Sequence, residues 1–286
     1  MPSISSPVSV EFFPHDSVKE NRFDLLTTPK HAKAIQNQGK VYLVGAGTGD
    51  PELLTIKAYK TILQADVICY DNLVSDEILA LNTTAEKIYV GKKCHKHSMS
   101  QQDINGLLVT LAQQGKTIVR LKSGDPFIFG RGGEEMQTVI GAGVACESIA
   151  GITTALAVAN SVNIPLTHRD YAQSVKFVTG FLKADTPNEQ YAELLADNQT
   201  VVFYMGLNTL TNLTQGLLQA GKSADTPFAI IANVSRHNEQ VLVGTLSTIQ
   251  ALQNDAKLPS PAVMIMGDVV SLYHQLNAPT LTYAAL

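Results

Sequence analysis

The chain has 286 residues, and at about 150 residues per domain this length predicts two domains. Its 21 basic and 25 acidic side chains give a net charge of −4, which leaves no basic surplus for nucleic acid. No apolar run approaches the ~18 residues of a membrane-spanning helix, so we expect a soluble protein without nucleic-acid or membrane partners.

Cysteine usage indicates a reducing compartment. Cys69, Cys94 and Cys146 form no C-x-x-C pair, and their odd number argues against a disulfide framework. The run from Cys94 to His97 has no second ligand pair at zinc spacing, so we expect no metal. Residues 1–39 lack the apolar core of a signal peptide and are punctuated by serine and proline, which predicts a flexible leader on a cytoplasmic protein.

From Lys40 onward, short β-rich apolar runs alternate with stretches of helical periodicity. In chain order, the first half predicts strands at 41–44, 67–70, 88–90 and 117–121, with helices at about 51–64, 75–81, 100–114 and 134–142. The second half predicts strands at 175–179, 201–204, 228–232 and 263–266, with helices near 207–219 and 247–253. Strands that are apolar on both faces and separated by helices are typical of an α/β protein with a parallel sheet covered on both sides.

The segment from Asn163 to Leu166 is typical of a crossover between domains, so we place a boundary near residue 165. The predicted organisation follows from that boundary. It comprises a flexible leader over 1–39, an N-terminal α/β domain over 40–165, a C-terminal α/β domain over 166–275 and a tail over 276–286.

A glycine-rich turn, residues 45–51, connects the first predicted strand to the first helix. A dinucleotide-binding turn belongs at this position, and Asp71, at the end of the second strand, has the place of a ribose-binding acid. The glycine spacing differs from that fingerprint, and the acid Asp50 at a helix N-terminus repels a pyrophosphate. A tight turn in which Asp50 caps the helix and Pro51 starts it explains the same residues.

A second glycine-rich segment, residues 124–135, follows a predicted strand and precedes a helix. It therefore lies at the carboxyl edge of the sheet, where open α/β sheets bind ligands. Its glycines indicate close approach to the backbone, and Glu134 and Glu135 fall in the first helical turn, where acids suit the helix dipole. The basic side chains Lys92 and Lys93 follow the third strand at the same edge.

Taken together, these motifs resemble one family, the uroporphyrinogen-III C-methyltransferases. The resemblance runs from about residue 40 to residue 275, and its most specific part is the segment 124–135. The matching segments are 41–47, 49–55, Tyr70-Asp71, Leu73-Val74-Ser75, Gly91-Lys92, Arg120-Leu121-Lys122, 124–135, Gly151-Ile152-Thr153, 164–169 and 204–207.

The resemblance implies two α/β domains with the active site in the cleft between them, in a homodimer. It implies methyl transfer from S-adenosyl-L-methionine to carbons C2 and C7 of uroporphyrinogen III, giving precorrin-2 for sirohaem and cobalamin synthesis. The N-terminal domain would carry the substrate and cofactor loops, and the C-terminal domain would complete the cofactor site. Multifunctional relatives have a preceding dehydrogenase and ferrochelatase domain; since only 39 residues precede the match here, we expect those activities to be absent.

Residue by residue, the resemblance implies that Asp71 is the proton acceptor and Lys92 the proton donor. The residues that it implies for the cofactor are Gly124, Asp125, Ile128, Thr153, Thr154 and Met205. The substrate carries eight carboxylates, for which the basic side chains near one sheet edge are candidates, namely Lys122, Arg131, His168 and Arg169. The chain departs from the family at four positions: Thr48 and Ala150 replace prolines, and Ser123 and Val234 replace glycines.

Three alternatives stay open at this point. The first is a later precorrin methyltransferase of the same fold, which the continuous match over 124–135 disfavours. The second is an NAD-dependent oxidoreductase, suggested by the turn 45–51 together with Asp71. The third is a non-catalytic tetrapyrrole-binding protein, suggested by the departures at Thr48, Ala150 and Val234.

Overall fold

The first half of the molecule is built on a parallel sheet. The structure, a computed structural model, describes residues 39–91, 99–180 and 191–278. In the first sheet the strand order is β3-β2-β4-β1-β5, with every pair parallel. Its strands are β1 (Lys40–Gly45), β2 (Val67–Tyr70), β3 (Glu86–Tyr89), β4 (Thr117–Lys122) and β5 (Ala145–Ile149). Apolar clusters cover both faces of this sheet, which confirms the predicted α/β class.

Helices connect these strands, and their ends follow local capping. They are α1 (Ile56–Leu63), α2 (Asp76–Ala80), α3 (Gln101–Gln113) and α4 (Gly132–Gly141). The predicted capping box of α3 is present, because Ser100 and Asp103 each bond to the other's backbone N–H. The continuous helix predicted over 51–64 is wrong. Pro51–Leu53 forms a separate 3₁₀ turn, and Thr55 then caps α1 by accepting a hydrogen bond from the N–H of Ala58.

The second half forms a mixed sheet with the order β6-β7-β10-β8-β9. Its strands are β6 (Ser174–Thr179), β7 (Gln199–Tyr204), β8 (Pro227–Ala232), β9 (Gln240–Thr245) and β10 (Ala262–Met266). Strands β6 and β7 are parallel, whereas the other three pairs are antiparallel. A wholly parallel arrangement therefore holds for the first sheet alone.

One helix that was not predicted, α5 (Thr154–Ser161), joins the two halves. Its buried residues Ala155, Ala157 and Val158 share an apolar cluster with Val202 and Ile231 of the second sheet. The boundary near residue 165 stays a prediction, and this packing argues for an earlier one. The remaining α-helices of the described residues are α6 (Leu210–Gln219), α7 (Ile249–Ala256) and α8 (Leu272–Leu276), of which α8 was also not predicted.

None of the helices in the described ranges is long and apolar enough to cross a membrane. The predicted leader lies outside those ranges except for residue 39, as does the tail from residue 279. The basic segment 92–98, which contains Lys92, Lys93 and Cys94, also lies outside them.

Candidate active site

Three glycine loops meet at the carboxyl ends of β1, β4 and β5. Gly47 and Gly124 exchange two backbone hydrogen bonds, of 3.2 and 2.6 Å. A Cβ on Gly45 would collide with the backbone N of Gly151, and a Cβ on Gly151 would collide with the carbonyl oxygen of Gly124. These glycines therefore allow the loops to pack backbone against backbone, as glycine does wherever chains approach closely.

The turn 45–51 has the geometry predicted for a helix start in which Asp50 is the cap and Pro51 the first residue. The Asp50 carboxylate accepts a hydrogen bond of 2.8 Å from the N–H of Glu52, and Pro51 is the first residue of the 3₁₀ turn. An acid that already caps this turn leaves a negative charge where a pyrophosphate would bind. The nicotinamide alternative is disfavoured by this geometry.

Asp125 fixes the second glycine loop from within. One carboxylate oxygen accepts a hydrogen bond of 2.8 Å from the N–H of Phe127, and the other accepts one of 3.1 Å from the N–H of Gly151. The carboxylate thus ties the loop after β4 to the loop after β5. Two loops held by a charge-assisted bond offer a rigid platform at this edge of the sheet.

A cavity of about 440 Å³ lies between the two sheets, at the ends of β1, β4 and β7. Of the residues that the resemblance assigns to the cofactor, Thr154 and Met205 line it, whereas Gly124, Asp125, Ile128 and Thr153 do not. The departures at three positions, Thr48, Ser123 and Val234, also lie on its wall. The full lining is Thr48, Leu73, Ser123, Thr154, Tyr204, Met205, Leu207, Asn208, Val234, Arg236 and residues 260–263.

Tyr204 joins the second sheet to the start of α5. Its hydroxyl shares a hydrogen bond of 2.8 Å with the Thr153 hydroxyl and accepts one of 3.0 Å from the N–H of Ala155. Thr153, the N-cap of α5, makes no side-chain capping bond, so the tyrosine hydroxyl takes over that role. Burial raises the pKa of Tyr204, which keeps the phenol protonated. The Phe129 ring packs 4.9 Å from the Tyr204 ring and brings the second glycine loop to the same place.

Three of the eight described non-glycine residues with positive φ lie at or next to the cavity wall. Met205 has φ +56° and is 57% exposed, and Asn233 and Ser235 have φ +55° and +59°. Non-glycine residues in the left-handed region are uncommon and persist where the surrounding structure holds them. Val234, between the two strained residues, does not have a positive φ, so valine in place of the family's glycine needs no unusual backbone here.

Asp71 lies at the end of β2, next to a group of buried charges. Its carboxylate accepts hydrogen bonds from the N–H of Leu73 at 3.1 Å and from Nη2 of Arg120 at 3.4 Å. The Arg120 Nε and the Lys122 Nζ both contact Oε1 of Glu135, at 3.3 and 2.9 Å. A line of alternating charges thus runs from the protein interior to the predicted proton acceptor.

Glu135 lies in the first turn of α4, as predicted, and has a further role that the sequence analysis did not indicate. Its side chain is fully buried and contacts two cations. Burial, with the nearby Arg120 charge as the second cause, lowers the pKa of Lys122. Lys122, predicted to bind substrate, therefore has its amine in the interior and bound to a carboxylate.

The other predicted substrate residues lie away from the cavity wall. Arg131 forms an exposed ion pair with Glu134, and His168 accepts a hydrogen bond of 3.1 Å from the N–H of Asp170. Arg169 is exposed. Lys92, the predicted proton donor, lies outside the described residues. Within those residues, no group of three or more His, Cys, Asp or Glu side chains could hold a metal ion.

Sequence reasoning missed three residues that the structure brings to this site. Glu135 and Arg120 are bound together, and Arg236 reaches the cavity from the loop between β8 and β9. A signal for the first two was available: Arg120 and Lys122 alternate on a buried strand, so both point to one face and require an acidic partner. No comparable pattern marks Arg236.

Comparisons with known proteins agree with this architecture. The family model described as Tetrapyrrole (Corrin/Porphyrin) Methylases matches residues 40–250. The siroheme synthase of Psychrobacter cryohalolentis is 54% identical over 250 residues, which are 87% of this chain and 48% of that protein. The chain thus spans about half the length of the curated relatives that it matches.

Two solved structures resemble the molecule along most of its described length. The crystal structure of uroporphyrin-III-C-methyltransferase from Thermus thermophilus is 38% identical with a TM-score of 0.72, covering 84% of this chain and 99% of that one. A structure of the Thermus protein complexed with S-adenyl homocysteine is 37% identical with a TM-score of 0.70, covering 82% and 100% of the two chains.

Proposed function

The chain belongs to the tetrapyrrole (corrin/porphyrin) methylases, and we propose that it transfers methyl groups from S-adenosyl-L-methionine to uroporphyrinogen III. The reaction would place one methyl group on C2 and one on C7 and release precorrin-2, a precursor for sirohaem and cobalamin. The observation that carries this proposal is the match to the Thermus uroporphyrin-III-C-methyltransferase over 99% of that chain at 38% identity.

The cavity between the sheets suits a ligand of the cofactor's size. Its volume of about 440 Å³ lies within the ~300–1,000 Å³ range that is usual for small-molecule sites. Leu73 and Val263 give it apolar walls, while Thr48, Thr154 and Asn208 add polar groups that can orient a nucleoside. When bound there, the cofactor supplies an electrophilic methyl group. The Thermus complex with S-adenyl homocysteine supports this choice of ligand.

We propose that the glycine loops act mainly by positioning. Asp125 and the pairing of Gly47 with Gly124 hold the loop after β4 rigid, and Thr154 and Met205 face the cavity from the start of α5 and the end of β7. Ile128 and Thr153 belong to the same loops and complete the proposed cofactor contacts. Holding two reactants in line is worth up to ~7–11 kcal/mol of a reaction barrier, so rigid loops suit a methyl transfer that needs no protein nucleophile.

Proton transfer falls to Asp71 in this proposal. Methylation of an aromatic carbon must be followed by loss of a proton, and Asp71 is a partly exposed carboxylate at the cleft edge. Arg120 and the N–H of Leu73 orient this carboxylate from behind. Lys92 is the proposed proton donor, on the strength of the family resemblance.

The substrate's carboxylates require basic partners near the cleft. Among the predicted ones, Arg131, His168 and Arg169 retain side chains that reach solvent, so we propose them as contacts of the tetrapyrrole rim. Lys122 also stays in the proposed set, and its bond to Glu135 would have to open before its amine could meet a carboxylate. These contacts are consistent with charge-assisted recognition.

We also propose that the chain works as a homodimer in the cytoplasm. Ile56, Tyr59 and Leu63 form an exposed apolar stripe on α1, which a second copy could cover. Light scattering coupled to size exclusion would give about twice the monomer mass of 30.7 kDa for the dimer. A single-chain mass at micromolar concentration would refute this part of the proposal.

The reaction is tested by incubating the protein anaerobically with uroporphyrinogen III and S-adenosyl-methionine labelled in its methyl group, followed by mass analysis of the product. A gain of two labelled methyl groups supports the proposal. No gain would favour a non-catalytic tetrapyrrole-binding protein, and methylation of a later precorrin alone would favour a related methyltransferase. Oxidation of NADH in place of methylation would favour the oxidoreductase.

A further inference from the structure

Arg236 is the one charged side chain among the described residues that line the cavity. We propose that its guanidinium binds a carboxylate of the ligands that meet there, either the amino-acid carboxylate of the cofactor or an acetate or propionate arm of the tetrapyrrole. This inference rests on the proposed function, because it concerns the ligands that the function requires. It adds a specificity-determining residue that the family resemblance did not indicate.

The guanidinium is held by the opposite side of the cleft. Arg236 comes from the loop between β8 and β9, yet its Nη2 donates a hydrogen bond of 3.0 Å to the carbonyl oxygen of Leu73, which follows β2. Its side chain also packs over Gly49, where a Cβ would lie 3.6 Å from the Arg236 Nε. Arg236 therefore spans from the second sheet to two loops of the first.

Most of its hydrogen-bonding capacity is unused. A guanidinium has five N–H donors, and within the described residues one of them, on Nη2, has a partner. The remaining donors belong to a half-buried side chain on the wall of a largely apolar cavity. A planar fork of this kind matches a carboxylate, which can accept two parallel bonds from it.

The loop that carries Arg236 is built to hold one conformation. Asn233 and Ser235, which flank Val234, both have left-handed backbone, and the N–H of Ser235 donates to the Glu239 carboxylate at 2.8 Å. The Thr48 hydroxyl donates to the Ser235 hydroxyl at 2.8 Å, from the first glycine turn. Strained residues that neighbouring groups hold in place are typical of ligand-binding sites, where a fixed donor loses less entropy on binding.

The test uses Arg236→Gln and Arg236→Lys. Glutamine retains a donor for the Leu73 carbonyl without the charge, and lysine retains the charge without the planar fork. Calorimetry would measure binding of S-adenosyl-homocysteine and of 5′-methylthioadenosine, which carries the same nucleoside without the amino-acid carboxylate. Steady-state kinetics would give KM for uroporphyrinogen III. Lys116→Gln is the matched control, because Lys116 forms a surface ion pair with Glu86 at the amino end of β4, away from the cavity.

If the cofactor carboxylate is the partner, Arg236→Gln lowers the affinity for S-adenosyl-homocysteine about 10- to 100-fold and leaves the affinity for methylthioadenosine unchanged. If the substrate arm is the partner, both nucleosides bind as before and KM rises by a similar factor. Arg236→Lys would fall between glutamine and the native residue. Lys116→Gln should match the native protein throughout.

Two results would overturn the inference. One is that Arg236→Gln stays within about twofold of the native protein in all three measurements. The other is an equal loss for both nucleosides, which would mean that Arg236 only holds the loop closed. In either case a native protein that still methylates uroporphyrinogen III keeps the proposed function. A native protein that neither binds S-adenosyl-homocysteine nor methylates the substrate would remove both proposals together.

Discussion

Replacing Glu135 with glutamine removes the counterion that Lys122 and Arg120 share, while it preserves the shape of the side chain. Arg120 keeps its second carboxylate contact, with Asp71. Lys122 and Arg120 contact the same oxygen of Glu135, at 2.9 and 3.3 Å, and Gln101 donates to it at 3.1 Å. Removing one member of a buried ion pair typically costs 3–5 kcal/mol. Because a glutamine oxygen can still accept from one donor, we expect a loss of about 3 kcal/mol in the free energy of unfolding.

The loss should depend on pH through Lys122. Burial lowers the pKa of Lys122, and the Glu135 carboxylate partly opposes that shift. Because Glu135→Gln removes the carboxylate, we expect the pKa of Lys122 to be lower still in the variant. Between this lowered pKa and the ordinary lysine pKa, the unfolded chain binds more protons than the folded one. Stability therefore rises with pH across that interval. The loss of stability in Glu135→Gln should therefore be largest at pH values below the interval. It should shrink at alkaline pH, where the Lys122 amine loses its proton and its charge.

Urea denaturation at several pH values would measure this effect. The neighbouring Glu134→Gln is the matched control, since Glu134 is exposed and forms only a surface ion pair with Arg131, and its midpoint should equal that of the native protein. The double variant Lys122→Met/Glu135→Gln should be more stable than Glu135→Gln alone, because one buried cation leaves with its counterion. A single variant within about 1 kcal/mol of the native protein would refute this account of the buried charges.

Three further outcomes are expected. Tyr204→Phe should lower the free energy of unfolding by about 1–3 kcal/mol, because the N–H of Ala155 loses its acceptor; unchanged urea denaturation would contradict the capping role. Gly124→Val should lower the affinity for S-adenosyl-homocysteine at least tenfold in calorimetry, because φ is +67° at this position, while the far-UV circular dichroism spectrum stays native. A native affinity would show that this loop is not part of the cofactor site. Asp71→Asn should slow methyl transfer by ~10²–10⁴ with unchanged S-adenosyl-homocysteine binding, whereas parallel loss of both would indicate a structural residue.

Eight of the ten described strands were predicted from their apolar residues, including the edge strands β3 and β6. Strands β1 and β2 contain continuous apolar runs in the interior of the sheet, so their positions follow from composition alone. Strand β5 was missed because Glu147 and Ser148 interrupt its apolar residues. Strand β9 was missed although its run Val241-Leu242-Val243 is as long as the run that predicted β3. The parallel direction was predicted correctly for the first sheet from its alternation of strands and helices, but the antiparallel pairs of the second sheet were not predicted, because a buried strand has the same pattern in both kinds of pair.

The location of the site could be predicted from the sequence, whereas the contacts between its residues could not. The two glycine segments were placed at the carboxyl edge of the sheet, where the structure has them, because that position follows from strand and helix order. The bond between Gly47 and Gly124 joins residues 77 positions apart, and no periodicity reports such a contact. The position of Arg236 on the cavity wall likewise depends on how the second sheet faces the first, which the sequence pattern does not report.

The contacts around the cavity explain why both sheets would be needed for a ligand site. Tyr204 bonds to Thr153, Ser235 to Thr48 and Arg236 to Leu73, and each of these pairs joins a strand end or loop of the second sheet to a loop after a strand of the first. Because these bonds are few and lie beside the cavity, an occupant that touches both sides adds to the same set of contacts. Binding then stabilises the arrangement that creates the site, by about 2.7 kcal/mol when the ligand is at 100 times its Kd.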